Sequence, residues 1–161
     1  MNRLITLRPV HTDDEDFLFR LYASTREDEL KALRGLNWDA GQIDAFLRMQ
    51  FKAQAAAYSQ QYGLSGSHIV LLNDDVMGRF YLYHSAEVIR VVDISLLPDY
   101  RNRGIGSSLL RGVLAEAEQN RLPVRLHVAA HNPAARLYAR LGFRQVSDEG
   151  LYRELEWRPH S

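Results

Sequence analysis

The stretch DISLLPDYRNRGIGSSLL, residues 93–110, decides how the chain is built. Leading into it is an apolar, β-branched run (Val88, Ile89, Val91, Val92, Ile94, Leu96, Leu97) that Pro98 stops; a glycine-containing turn follows, and then a helical pattern. The order is strand, loop, helix. Gly104 and Gly106 fall where the helix should begin. Bare backbone there is open to a ligand, and the first N–H groups, which lack an acceptor inside the helix, point at it. Such an arrangement takes an anion, phosphate above all. Arg101 and Arg103 bracket the turn, and their guanidinium groups suit phosphate oxygens.

A chain of 161 residues with 46% hydrophobic content fits a single domain, 1–161, with a real core. Twenty basic and twenty acidic residues cancel, so no global field favours nucleic acid or an anionic membrane. With no cysteine there are no disulfides, no thiolate chemistry and no thiolate metal sites. The start, MNRLITLRPV, is too short and too broken by arginine for a signal peptide, and no apolar run approaches the ~20 residues of a membrane span. The expectation is a soluble, cytoplasmic protein.

Before the organising stretch, residues 3–9 suit a first strand. Thr12 and Glu15 make a capping box, and Asp13, Asp14 and Asp16 favour a helix N-terminus as dipole complement and solvated face. That helix runs to about Arg26, with Phe17, Leu18, Leu21 and Tyr22 at helical spacing. Glu27 to Asn37 lacks clean periodicity and reads as a loop or broken helix; a long helix then spans about Asp39 to Tyr62, with Ile43, Phe46, Leu47, Phe51 and Tyr58 on one side. His68–Asn73 and Val76–His84 are strands joined tightly through Asn73-Asp74-Asp75, and a third strand covers about Glu87–Leu97.

After the glycine turn a helix places Ile105, Leu109, Val113, Leu114 and Ala117 on one face. Val124–Ala130 is the next strand, and a strand–helix–strand crossover of this kind pairs parallel strands. Asn132 suits an N-cap, Pro133 the first helical position and Gly142 the exit of a short helix. Two strands, about Phe143–Asp148 and Leu151–Trp157, close the chain as a hairpin across Glu149-Gly150.

Arg101-x-x-Gly104-x-Gly106 after a strand ending in Leu97-Pro98 resembles the acetyl-coenzyme A signature of the GNAT superfamily of N-acetyltransferases. The segment Asn132 to Phe143, NPAARLYARLGF, looks like that family's other recurrent segment, an Asn-led helix carrying a tyrosine and ending in Leu-Gly-Phe. The two stand in the family's order and spacing. The resemblance implies an α/β fold: a mixed, mostly antiparallel twisted sheet of about seven strands, about four flanking helices, and a splayed parallel pair at the coenzyme site. It also implies acetyl-CoA as co-substrate, a pyrophosphate over the N–H groups from about Arg101 to Ser107, and a pantetheine arm bonding backbone near Leu96 and Leu97. A donated N–H near Leu96 would also steady the oxyanion.

Acetyl transfer to an amine must hold the thioester, deprotonate the acceptor and protect the leaving thiolate. By resemblance Tyr138 lies near the sulfur, where its hydroxyl donates to a thiolate of pKa about 8.5; the alternative is a packed helix tyrosine bonded to backbone. A protonated amine of pKa near ~10.4 needs a base. His127 stands where some family members place a glutamate, and has a suitable side chain as base or water relay; the alternative is a satisfied strand histidine. Asp93 either orients an arginine or closes a structural pair. Asn132 is a cap or a partner of the pantetheine arm. Resemblance makes Leu36, Trp38 and Phe46 candidate walls of the acceptor pocket, with core packing the favoured alternative for Phe46, and Arg79, Tyr81 and Tyr83, alternating on a strand, either border the cleft or pack.

His127 and His131, four apart on extended backbone, do not converge on a metal, so none is expected. NTPase and dinucleotide motifs fail, because Ser107-Ser108 follows Gly106 where Lys-Ser/Thr is needed, and Leu109 stands where a third glycine is needed. The reading is therefore an N-acetyltransferase acting on a small-molecule or peptide amine, without nucleic acid or membrane and as a possible homodimer. A non-catalytic acyl-CoA-binding sensor or scaffold is the alternative.

Overall fold

A computed structural model describes residues 4–129, 132–150 and 152–160. The strand ends expected at Arg3, Ala130 and Leu151, and His131, lie outside the described residues. The elements in chain order are β1 (Ile5–Pro9), α1 (Glu15–Ser24), α2 (Glu27–Gly35), α3 (Ala40–Tyr62), β2 (Ser67–Leu72), β3 (Asp75–His84), β4 (Ile89–Leu96), α4 (Ile105–Asn120), β5 (Val124–Ala129), α5 (Ala135–Arg140), β6 (Arg144–Glu149) and β7 (Tyr152–Trp157). Seven strands make one sheet in the order β1-β2-β3-β4-β5-β7-β6, the mixed α/β architecture expected. β1–β2, β5–β7 and β6–β7 are antiparallel, and β4–β5 is parallel.

The chain packs as two compact units, one of residues up to Arg79 with Ser95–Tyr100, the other of Phe80–Ile94 with the chain from Arg101 onward. In the first, Phe17, Leu18, Leu21, Ile43, Leu47, Phe51 and Ile69 share a core. Phe51 meets Phe19 edge-on and Tyr22 at a tilt, both at 5.6 Å between ring centres. The stretch after Arg26 is a helix of its own, α2, because Leu30 reaches that core; five α-helices rather than about four are thus described. Asp39 caps α3 and closes a capping box with Gln42. Between β2 and β3, Asn73 and Asp74 both adopt positive φ, 51° and 75°, as a two-residue hairpin turn requires.

In the second unit Ile89, Val91, Ile105, Leu110, Val113, Ala117, Val124, Leu126 and Val128 are buried. Leu110 is the fully covered leucine of α4, whereas Leu109 and Leu114 are half-buried, so the apolar stripe is centred slightly differently from the expected one. β5 runs antiparallel to β7 over its whole length, from Val124↔Trp157 to Ala129↔Tyr152.

The expected Thr12–Glu15 capping box is replaced by a turn of 3-10 helix over Thr12–Asp14, and Asp14 is not a solvated dipole complement. It is buried, and its carboxylate accepts two hydrogen bonds of 2.8 Å from the Arg8 fork and one of 2.7 Å from the His11 N–H. The Arg8 hydrogen bonds outweigh burial and lower its pKa from 3.8 to about 2. A carboxylate with a depressed folded-state pKa contributes stability above its unfolded value and loses it as pH falls through the folded one. We therefore expect Asp14→Asn to cost roughly 1–2 kcal/mol near neutrality, discounted for the part-exposed Arg8. In urea melts the gap to the parent protein should narrow below pH 3.8 and close near pH about 2; a gap constant down to that pH would refute the account.

Candidate active site

The site begins where β4 ends. β4 and β5 pair only at Ile89↔Val124, Arg90↔Arg125 and Val91↔Leu126, although β4 continues to Leu96 and β5 to Ala129. Beyond Val91 the parallel pair has parted, as the resemblance implied. The Leu97 N–H donates to the Met77 carbonyl at 2.8 Å, so the end of the strand stays tied to β3. Backbone groups alternate sides along a strand, so the Leu96 N–H points toward the opposite edge. Of the two leucines near which a pantetheine arm is expected to bond backbone, Leu97 thus has its N–H committed to β3.

Pro98–Tyr100 forms a single 3-10 turn, closed by the Tyr100 N–H on the Leu97 carbonyl at 2.9 Å. Asn102 and Gly104 then take positive φ, 61° and 80°, and reverse the chain into α4. Gly104 is the N-cap, a conformation that costs an L side chain about 1–2 kcal/mol. The first helical hydrogen bond is Ser108 N–H to Gly104 C=O at 3.0 Å, so the N–H groups of Gly104, Ile105, Gly106 and Ser107 have no acceptor within the helix. A Cβ on Gly106 would meet nothing nearer than Ile94 Cδ1, at an ordinary 3.9 Å. The packing of the chain does not require glycine there, and the bare backbone leaves room beside it. Arg101 and Arg103 flank this turn and are exposed.

Tyr138 is buried in α5, its ring edge-on to Phe143 with centroids 5.6 Å apart. Burial, and then the negative charge of Asp93, push the phenol up to about 12. Asn132 does not cap α5. Its Oδ1 accepts from the Ala134 N–H at 2.8 Å and its carbonyl from the Ala135 N–H at 3.1 Å, while the N-cap of the helix is Ala134. Asn132 therefore fixes the turn ahead of the helix, and Pro133 lies in that turn. Gly142 leaves α5 at φ 101° as expected, and the Phe143 N–H returns to the Tyr138 carbonyl at 3.0 Å.

His127 lies on the partly exposed face of β5, among charges the sequence did not reveal. Its Nδ1 is 3.4 Å from Arg90 Nη1 and its Nε2 is 3.8 Å from Glu154 Oε2. Arginine only donates, so it meets Nδ1 as an acceptor, which assigns the ring proton to Nε2, toward Glu154. Glu154 also accepts from Arg90 Nη2 at 2.7 Å. Next to it, Glu156 accepts from Arg125 Nε at 2.7 Å and Arg158 Nε at 2.6 Å; burial alone would raise its pKa, but these bonds outweigh it and hold the carboxylate low. A pocket of about 250 Å³ lined by Arg90, Arg125, Arg158, Glu87 and Glu156 adjoins this ladder and includes none of the expected site residues.

Of the strand residues read as bordering the cleft or packing, Arg79 and Tyr81 are buried: Arg79 donates through Nε and Nη2 to Ser67 Oγ at 3.1 and 3.0 Å. Trp38 packs edge-on against Phe46 at 5.5 Å, and Leu36 is exposed beside it in sequence. Among the described residues no three His, Asp or Glu side chains are grouped to hold a metal ion, and no helix is long and apolar enough to cross a membrane.

Comparison with known proteins agrees with this fold. No curated protein matches the sequence. Among solved structures, the PaiA N-acetyltransferase from Thermoplasma acidophilum, in complex with coenzyme A, superposes with a TM-score of 0.68 at 18% identity, over 96% of this chain and 99% of that one. The ribosomal-protein-S18-alanine N-acetyltransferase from Escherichia coli gives 0.63 at 17% identity, over 98% and 96%. Arabidopsis thaliana Naa50, in complex with the bisubstrate analogue CoA-Ac-MVNAL, gives 0.57 at 19%, over 94% and 96%. At such identities the likeness is one of fold. Family membership comes from the sequence itself: the profile of the Acetyltransferase (GNAT) family matches residues 20–143, well over half of the chain, and the protein belongs to that family.

Proposed function

We propose that the protein transfers an acetyl group from acetyl-CoA to a primary amine by direct attack in a ternary complex. The observation that carries this reading is the opening of α4 on Gly104, with the N–H groups up to Ser107 lacking helical acceptors and no side chain on Gly106. The pyrophosphate lies over these donors, offset by the helix dipole and by Arg101 and Arg103. The pantetheine arm bonds the backbone of Leu96, which also steadies the oxyanion as the carbonyl becomes tetrahedral.

In the reaction the protonated amine gives up one proton to the base, its nitrogen attacks the thioester carbon, the C–S bond breaks as the intermediate collapses, and the second proton shed by nitrogen passes through water to the CoA thiolate. Tyr138 serves that last charge. A phenol near 12 stays protonated at working pH, but full transfer to a thiolate of about 8.5 is uphill by roughly 5 kcal/mol. Tyr138 therefore acts chiefly as a hydrogen-bond donor to the developing thiolate, and Asp93 keeps its proton in place. His127 takes the amine proton directly or through water, giving up its 3.4 Å contact with Arg90, which is at the long limit of a hydrogen bond.

Isothermal titration with acetyl-CoA and CoA, followed by a free-thiol release assay over an amine library, tests the whole scheme. Binding with amine-dependent thiol release is expected, and the best amine identifies the acceptor; binding without turnover would favour the sensor, and no binding would end the coenzyme reading. For Tyr138→Phe, kcat should fall by about 10²-fold while the KM for acetyl-CoA changes little. An unchanged kcat would remove Tyr138 from the mechanism. The parent protein should show no loss of rate from Tyr138 ionisation until pH approaches about 12. His127→Ala should lower kcat by about 10²-fold; an unaltered kcat would exclude it as base.

A further inference from the structure

Gly78 lies in β3 against the last residues of β4. A Cβ placed on it would sit 2.3 Å from the Ser95 carbonyl oxygen, 2.8 Å from Leu96 Cδ2 and 3.3 Å from Leu96 Cα. Its φ is not in the left-handed region, so conformational freedom is not why glycine stands there. Close approach is the reason. Two of the three atoms belong to backbone, which cannot swing aside as the end of a flexible side chain can. The next residue back, Met77, holds the same segment by accepting the Leu97 N–H at 2.8 Å. By contrast a Cβ on Gly112, in α4, would meet nothing within 4 Å.

We infer that Gly78 is a positioning residue for the acyl donor: its missing side chain lets β3 close onto Ser95 and Leu96 and fixes where that peptide is presented to the pantetheine arm. This rests on the coenzyme reading above. Any side chain at position 78 drives the Ser95–Leu96 peptide off β3. Hydrogen bonds of ~2.9 Å weaken steeply when stretched, and a misplacement of about 1 Å in a reacting group can cost on the order of 10²-fold in rate.

The test compares two ligands on one protein: coenzyme A, and 3′-phospho-ADP, its nucleotide end without the pantetheine arm. Gly78→Ala should weaken coenzyme A by about tenfold or more while 3′-phospho-ADP changes less than about twofold. Gly112→Ala should move neither. A general loss of structure would weaken both ligands together, and that outcome overturns the inference, as does a Gly78→Ala variant with unaltered affinities. Should Gly78→Ala fail to fold, an ester in place of the Leu97 amide, installed as the α-hydroxy acid, removes the tie to Met77 without adding bulk. The ester protein should show the same selective weakening of coenzyme A, and a parental ratio of the two affinities would overturn the inference. Parent protein that binds 3′-phospho-ADP and coenzyme A alike would likewise sink the claim of a pantetheine contact at Leu96, whereas parent protein that binds neither would refute the coenzyme reading itself.

Discussion

One strand is held on one side and released on the other. β4 keeps its tie to β3 as far as the Leu97 N–H, yet leaves β5 after Val91. Parallel strands that diverge present backbone donors and acceptors to whatever occupies the gap, a liability in most sheets and a binding device where a ligand has strand-like amides. The proline at 98 makes the parting final, because it has no N–H with which to extend a ladder. Chain reversal then follows through one 3-10 turn and two residues at positive φ, Asn102 and Gly104. The helix that begins there leaves its first N–H groups without acceptors inside the helix.

That sequence of events was legible because each step is local. An apolar run, a proline, glycines at the turn and a helical period all lie within the eighteen residues 93–110. The hairpin at Asn73-Asp74 and the exit at Gly142 were legible for the same reason. What the sequence hid is non-local. Nothing in the periodicity of β3 shows that Arg79 will bond Ser67, twelve residues earlier, and so point inward. Asp14 resembled its acidic neighbours until the fold brought Arg8 to it. α2 has too few apolar positions to declare itself and is held by Leu30 in the core of its unit.

At the candidate site the same division holds. The segment singles out Tyr138 as a candidate, but its electrostatic neighbour Asp93 is forty-five positions away and comes close only in the folded chain. Burial and that charge favour the neutral phenol in the same direction. Asn132 is a good cap by residue type and does cap a turn, but the helix starts later, since the first α-type bond runs from the Tyr138 N–H to the Ala134 carbonyl. Residue type predicted the chemistry of Asn132 and not its position in the helix.

The charges around His127 show how register and site are built together. Arg90 and Arg125 stand directly opposite each other across β4 and β5, a like-charge pair that would repel without a counter-ion. Glu154, opposite His127 across β5 and β7, supplies it, accepting from Arg90 at 2.7 Å and lying 3.8 Å from Arg125. Slipping β7 by one residue would turn both glutamates toward the core and expose Leu155 and Trp157, at a cost of several kcal/mol per buried carboxylate. The ladder therefore fixes the register, and the register fixes the ring of His127. Arg90 holds Glu154 at 2.7 Å and stands 3.4 Å from His127, so the ion pair does not depend on the ring. The pairing of its strand thus places the histidine, while the glutamate beside it answers to the two arginines.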